Sequence, residues 1–118
     1  MIARIVREST DHHPVIFNLC DGDEVNGAPG ISVIQCLKEH GLRFTGADER
    51  FYDATTSKIT MKEAFDRAGV PTAPWATLRK DGADAADACT RLGAPLILKP
   101  AVSAGSMGIT TKSVVDSP

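Results

Sequence analysis

A lysine followed by a pliable loop is the feature of this sequence with the clearest chemical potential. Lys99 ends the apolar run Leu96–Leu98, which we expect to be a buried strand, and the loop SAGSMG, residues 103–108, follows closely. A buried ammonium is costly unless an anion accompanies it. Glycines let backbone N–H groups approach a ligand, and Ser103 and Ser106 add hydroxyl donors. The segment is therefore suited to binding phosphate.

Each part of this segment also has an ordinary structural explanation. Lys99 at a strand end could extend its ammonium to solvent, and a glycine-rich connection between two strands is often only a hairpin. No Gly-Lys-Ser/Thr follows the loop, so it is not a Walker A sequence, and GSMG does not match a nucleophile elbow. The residues alone leave a phosphate site and a plain hairpin both open.

Other candidate residues are more ordinary. Lys58 and Lys62 are four residues apart and share a helix face, which is typical of a solvated surface. The acidic segment 21–26 suggests calcium, but Val25 and Asn26 occupy positions where an EF-hand loop needs a ligand and a glycine. The adjacent histidines 12–13 lack nearby metal-ligand partners. We therefore predict no metal site in this chain, and spacing alone identifies no catalytic residue.

Composition limits the classes of function. The chain has 118 residues, 42% of them hydrophobic and 24% charged, which is typical of a globular protein with one core and no membrane helix. A net charge of −2 gives no general attraction to nucleic acid or anionic lipid, so we expect neither as a partner. Three cysteines without CxxC spacing and no apparent signal peptide favour a reducing cytoplasm.

Hydrophobic patterning predicts alternating strands and helices. Pro29 is placed to begin a helix, and Thr56 or Ser57 to cap another. Glycines 41, 69 and 93 are placed to end three helices. The predicted strands are 14–20, buried on both faces, and then 42–46, 74–78, 95–100 and 109–115; the predicted helices are 29–41, 55–69 and 81–93. This order favours a parallel three-layer α/β arrangement in the first 70 residues, followed by an antiparallel start of a second domain.

Five segments together resemble a known family. In chain order they are VIFNLCDG, LKEHGLRFTG, TTSKITMKEAFDRAGVPTAPW, LGAPLILKP and SAGSMGI. They resemble motifs of the D-alanine:D-alanine ligase branch of the ATP-grasp superfamily. Each motif is weak by itself, but their order and separations are strong, and the resemblance runs from about Val15 to Val115.

The resemblance implies a fold and a reaction. Residues 1–72 would be the latter part of an N-terminal α/β domain, and residues 73–118 the incomplete start of the ATP-grasp α+β nucleotide-binding domain. The family activates a carboxylate with ATP and Mg²⁺ and joins it to an amine in a peptide-like bond. Its enzymes are about three times as long, and their metal ligands and catalytic arginine would lie outside this chain, which we therefore expect to be inactive alone.

The resemblance also assigns residues. It implies that Lys58 and Lys99 contact the nucleotide and that the loop closes over its phosphates, with Ser103, Gly105, Ser106 and Gly108 as matching positions. Asp21 and Gly22 would border the substrate, a small amino acid or peptide-like molecule. The family leaves room for a homodimer of the full-length protein.

Two departures from the family pattern keep alternatives open. Asp21–Gly22 continues as DEVNGAPG, and Ser57 stands where the family has Asp, so the substrate could be another carboxylate and amine. A stand-alone nucleotide-binding or regulatory module without ligase activity is one alternative. A purely structural α/β domain is another, and it requires Lys58 and Lys99 to be incidental.

Overall fold

The computed structural model describes residues 2–8 and 11–116, as two compact units, Met1–Thr56 and Ser57–Pro118. The helices are α1 (Ile2–Glu8), α2 (Ile31–Glu39), α3 (Glu49–Thr55), α4 (Lys58–Arg67) and α5 (Ala85–Leu92), with a 3₁₀ turn at Thr111–Ser113; the strands are β1 (Val15–Ile16), β2 (Arg43–Phe44), β3 (Leu96–Ile97) and β4 (Val114–Val115). This mixture of helices and small sheets is consistent with an α/β protein. The three-layer arrangement and the division at residue 72 stay predictions.

The first unit contains a parallel strand pair. Val15 of β1 is paired with Arg43 of β2, and α2 forms the connection between the two strands. Ile34 and Leu37 of α2 are buried together with Leu42, so the apolar face of this helix supplies most of the unit's small core. The parallel pairing expected from alternating strands and helices is confirmed here.

Glycines end helices α2 and α4 as the sequence predicts. Gly41 has φ +63°, and the N–H of Leu42 donates to the Leu37 carbonyl at 3.0 Å. Gly69 has φ +66°, and the N–H of Val70 donates to the Phe65 carbonyl at 2.9 Å. Both are Schellman motifs, in which a residue with positive φ turns the chain out of the helix, a backbone conformation that glycine adopts without strain.

The region before α4 differs from the prediction of one helix over 55–69. Helix α3 ends at Thr55 and α4 begins at Lys58, with the extended Ser57 at the N-cap position of α4, as predicted, although its side chain makes no cap bond. Asp48 starts α3 because its carboxylate accepts the N–H of Phe51 at 3.1 Å. An acidic residue at this N-terminus was the signal for a separate helix.

The second unit contains an antiparallel pair, as expected. Leu96 of β3 is paired with Val115 of β4. The predicted strand over 74–78 is wrong, because Pro74 to Leu78 has no regular structure. Trp75 in that segment instead donates its indole N–H to Asp66 of α4 at 3.1 Å. The strand predicted over 109–115 is reduced to β4 and the 3₁₀ turn before it.

The apolar strand residues are more exposed than predicted. Phe17 and Leu19 are 74% and 77% exposed, and Ile97 and Leu98 are 53% and 54% exposed. The prediction that both strands are buried is therefore wrong. Each sheet has only two strands among the described residues, and so small a sheet leaves its faces uncovered. Within residues 2–8 and 11–116, no helix has the length and apolar character needed to cross a bilayer.

Candidate functional site

The start of helix α4 contacts the start of the glycine- and serine-rich loop. The Lys58 N–H donates to the Ala101 carbonyl at 2.8 Å, and Ser57 forms an isolated antiparallel bridge with Val102. The Lys58 ammonium donates to both the carbonyl and the hydroxyl of Ser103, each at 3.0 Å. Both side chains are half-buried. The structure thus joins two residues that the resemblance assigns to the nucleotide.

The middle of the loop is a tight turn. The Met107 N–H donates to the Ala104 carbonyl at 3.0 Å, and the two central residues, Gly105 and Ser106, have φ of +57° and +61°. Two successive positive φ angles are typical of a type I′ turn, which glycine adopts freely and serine rarely. The path of the loop therefore depends on Gly105 as the first central residue.

A second turn follows directly. The Ile109 N–H donates to the Ser106 carbonyl at 3.0 Å, and Gly108 has φ +78°. A Cβ atom at Gly108 would lie 3.0 Å from Cγ of Pro100. Glycine at this position satisfies both the positive φ and the close approach to Pro100.

The two turns leave several backbone donors unused. The N–H groups of Ala104, Gly105, Ser106 and Gly108, and the Ser106 hydroxyl, have no acceptor among the described residues. Residues 105–108 are exposed. Neighbouring N–H groups in turns form anion-binding concavities, and an ammonium strengthens them by charge-assisted hydrogen bonding. The loop and Lys58 thus offer the donors that a phosphate group requires.

Lys99 lies in a different environment from the one predicted. Its side chain is exposed, and its ammonium has no hydrogen-bond or ion-pair partner in the described part of the chain. The predicted burial of Lys99 is therefore wrong, because the preceding Leu98 is itself exposed, and this ammonium does not require an anion. What remains is an unpaired positive charge at the end of the segment leading into the loop.

Asp21 and Gly22, the predicted substrate-bordering residues, lie in the first unit. Gly22 is buried, and its N–H donates to the Pro29 carbonyl at 3.1 Å. A Cβ atom at Gly22 would lie 2.0 Å from the Ala28 carbonyl oxygen, and one at Gly30 would lie 2.0 Å from the Gly22 oxygen. Only glycine fits at these two positions, so the turn beside the exposed Asp21 has a tightly fixed backbone.

Glu24 anchors this turn to the N-terminus of α2. One carboxylate oxygen accepts the N–H groups of Gly30 at 2.7 Å and Ser32 at 2.9 Å. Hydrogen bonds from the Ser32 side chain, and then from the backbone of Gly30 and Ser32, lower the Glu24 pKa, against smaller opposing effects of desolvation and of the Asp23 charge. This role of Glu24 is not among the sequence predictions, although an acidic residue shortly before a helix without a polar N-cap is a signal for it.

Tyr52 of α3 closes the other side of the turn. Its hydroxyl donates to the Cys20 carbonyl, and its Cε1 would lie 3.1 Å from a Cβ at Gly30. Burial raises the Tyr52 pKa, and the negative charge of Asp21 raises it further.

The described residues do not provide a magnesium site. No group of three His, Cys, Asp or Glu side chains lies close enough to hold a metal ion within residues 2–8 and 11–116. In the acidic segment, the buried Asp23 carboxylate accepts the N–H and side-chain amide of Asn26, each at 2.8 Å, as in a local turn.

Comparison with known proteins finds similarity to D-alanine–D-alanine ligases. The ligase of Pseudomonas fluorescens is 29% identical over 113 residues, which are 96% of this chain and 33% of that protein. That of Actinobacillus pleuropneumoniae is 27% identical over 86% of this chain and 33% of its own length. That of Xanthomonas axonopodis is 33% identical over 80% and 30%, respectively.

The chain spans about a third of the length of these curated relatives. No family model matches the chain, and no solved structure does either. Low-identity similarity across most of the chain supports a resemblance to these ligases, in agreement with the order of the sequence motifs.

The Gly22 contact predicts a strong steric effect. Gly22→Ala places a methyl group against the backbone of Ala28, so we expect a loss of about 1–3 kcal/mol in the free energy of unfolding. Urea denaturation followed by the near-ultraviolet circular dichroism of Tyr52 measures it. Gly27→Asn is the matched control, because Gly27 has φ +80° and open space around it. Equal stability of Gly22→Ala and wild type would contradict the close contact.

The Glu24 interaction predicts a pH-dependent contribution to stability. Because the folded pKa is lowered, the contribution is present above the unfolded glutamate pKa and is lost as the pH falls through the folded value. Glu24→Gln should therefore be less stable than wild type at pH 7, and the gap should close as the pH falls below about 4. The control Asp53→Asn, at an exposed α3 residue, should not show this convergence. If the difference in the free energy of unfolding between Glu24→Gln and wild type is the same at all pH values, the carboxylate contact is excluded.

Proposed function

We propose that this chain is part of an ATP-dependent ligase that joins a carboxylate to an amine, and that its second unit binds the phosphates of the nucleotide. The observation that carries the proposal is the bonding of Lys58 to Ser103 at the start of a loop with unused N–H donors. The similarity to D-alanine–D-alanine ligases over most of the chain supports the reaction type.

The proposed phosphate site combines three kinds of donor. The Lys58 ammonium supplies charge at one end of the loop, the unused N–H groups of Gly105, Ser106 and Gly108 supply neutral donors, and Ser106 also supplies a hydroxyl. Lys99, which follows β3, adds an unpaired positive charge. Such donors neutralise phosphate charge without needing to reorganise when the nucleotide binds.

ATP, when bound, supplies the phosphoryl group that activates a carboxylate as an acyl phosphate. The residues of this chain hold and orient the phosphates, and the loop limits the access of water to them. The metal ligands belong, in this proposal, to residues outside this chain.

The proposed substrate is a small amino acid or peptide-like carboxylate. Asp21 is exposed beside the rigid Gly22 backbone, and a charged group on a fixed turn suits recognition of a substrate amine. The reducing cytoplasm expected from the cysteine pattern agrees with this role, and the three cysteines are free in the structure.

Lysine substitutions test the phosphate site. We expect Lys58→Met and Lys99→Met each to weaken ATP binding by roughly 10-fold or more, because each removes a charged donor to phosphate. Isothermal titration of ATP into the 118-residue chain measures the dissociation constants. Lys80→Met is the matched control, since Lys80 is exposed and makes no hydrogen bond in the described part of the chain.

Two results would contradict the proposal. The first is an absence of ATP binding by the wild-type chain, and the second is binding by Lys58→Met and Lys99→Met that equals that of Lys80→Met. The second result would favour the purely structural α/β domain, in which both lysines are incidental.

A further inference from the structure

Ser103 takes two of the three N–H donors of the Lys58 ammonium. Its carbonyl and its hydroxyl oxygen each accept a hydrogen bond of 3.0 Å from Nζ. A lysine ammonium has three donors in all, and no further acceptor for it lies among the described residues. One N–H of Lys58 is therefore left for a ligand, on a side chain that is already held in place.

Holding this side chain matters for binding. A lysine side chain has a flexible four-carbon stem and loses considerable conformational entropy when a ligand immobilises it. A side chain fixed before the ligand arrives avoids much of that loss. Any residue at position 103 could offer its backbone carbonyl to the Lys58 ammonium. Serine holds the ammonium more firmly, because its hydroxyl accepts a second hydrogen bond.

The same contact fixes the first residue of the loop. Lys58 is anchored to the segment before the loop by its own N–H, which donates to the Ala101 carbonyl at 2.8 Å. Its ammonium then reaches Ser103, so helix α4 holds the chain on both sides of Val102. The turn at residues 104–107 starts directly after this fixed point.

From these contacts we infer that Ser103 is a positioning residue, whose hydroxyl orients the Lys58 ammonium for a phosphate group and ties the Gly/Ser loop to helix α4 before any nucleotide binds. The part concerning phosphate rests on the proposed function. The part concerning the loop is a property of the chain by itself, and the two can be measured separately.

The first experiment needs no nucleotide. Ser103→Ala removes one of the two bonds, so the amide hydrogens of Lys58, Met107 and Ile109, which have acceptors in this region, should exchange about fivefold faster than in wild type. Nuclear magnetic resonance measures exchange at each amide. Ser103→Thr keeps a hydroxyl and should exchange as wild type does. Ser57→Ala is the matched control, because the Ser57 side chain makes no cap bond beside Lys58.

The second experiment is a double-mutant cycle with ATP as the probe. Ser103→Ala should weaken ATP binding about fivefold in the wild-type background and not at all in the Lys58→Met background, because it acts through Lys58. Ser103→Thr should restore the affinity. A merely structural role would weaken binding equally in both backgrounds, and that result would overturn the inference.

The two experiments separate this inference from the proposed function. If the wild-type chain does not bind ATP, the proposed function and the phosphate role of Ser103 both fail, and the exchange rates alone decide whether Ser103 ties the loop. If the amide hydrogens of Lys58, Met107 and Ile109 exchange as slowly in Ser103→Ala as in wild type and Ser57→Ala, Ser103 does not tie the loop to the helix. That conclusion holds whether or not the chain binds ATP.

Discussion

The hydrogen bonds between Lys58 and Ser103 are the contact on which the organisation of the second unit depends. They join residues that are 45 positions apart in the chain. The connection between β3 and β4 has little regular structure before the 3₁₀ turn, so its position relies on contacts with other elements. Helix α4 supplies that contact at its first residue, where backbone and side chain of Lys58 both bind the connection.

The two candidate regions use backbone polar groups in opposite ways. The turn in residues 21–30 uses its donors internally, through the Glu24 carboxylate and the close crossing of Gly22 and Gly30. In the loop of residues 103–108, the N–H of Met107 closes a turn, whereas those of Ala104, Gly105, Ser106 and Gly108 have no acceptor among the described residues. A saturated turn is suited to holding one side chain, such as Asp21, at a fixed place, whereas unused donors are suited to an anion.

Local features were predictable from the sequence, and features that depend on neighbours were not. The helix ends at Gly41, Gly69 and Gly93 follow from the backbone angles that glycine allows, and the structure has all three. Burial of Phe17 and Leu98 could not be inferred, because it depends on which strands and helices cover a sheet. The sequence identified Lys58 and Ser103 separately, but only the fold shows that they are bonded.

Every second residue from Val15 to Leu19 is apolar and exposed, which has a practical consequence. Val15 of β1 and the following Phe17 and Leu19 are 61%, 74% and 77% exposed, respectively. Alternate apolar side chains beside an open strand edge attract the same surface on other molecules. We expect the chain to self-associate in concentrated solution and mild detergent to reduce this association. Polar replacements at Phe17 and Leu19 are the most direct way to keep samples dispersed for crystallisation.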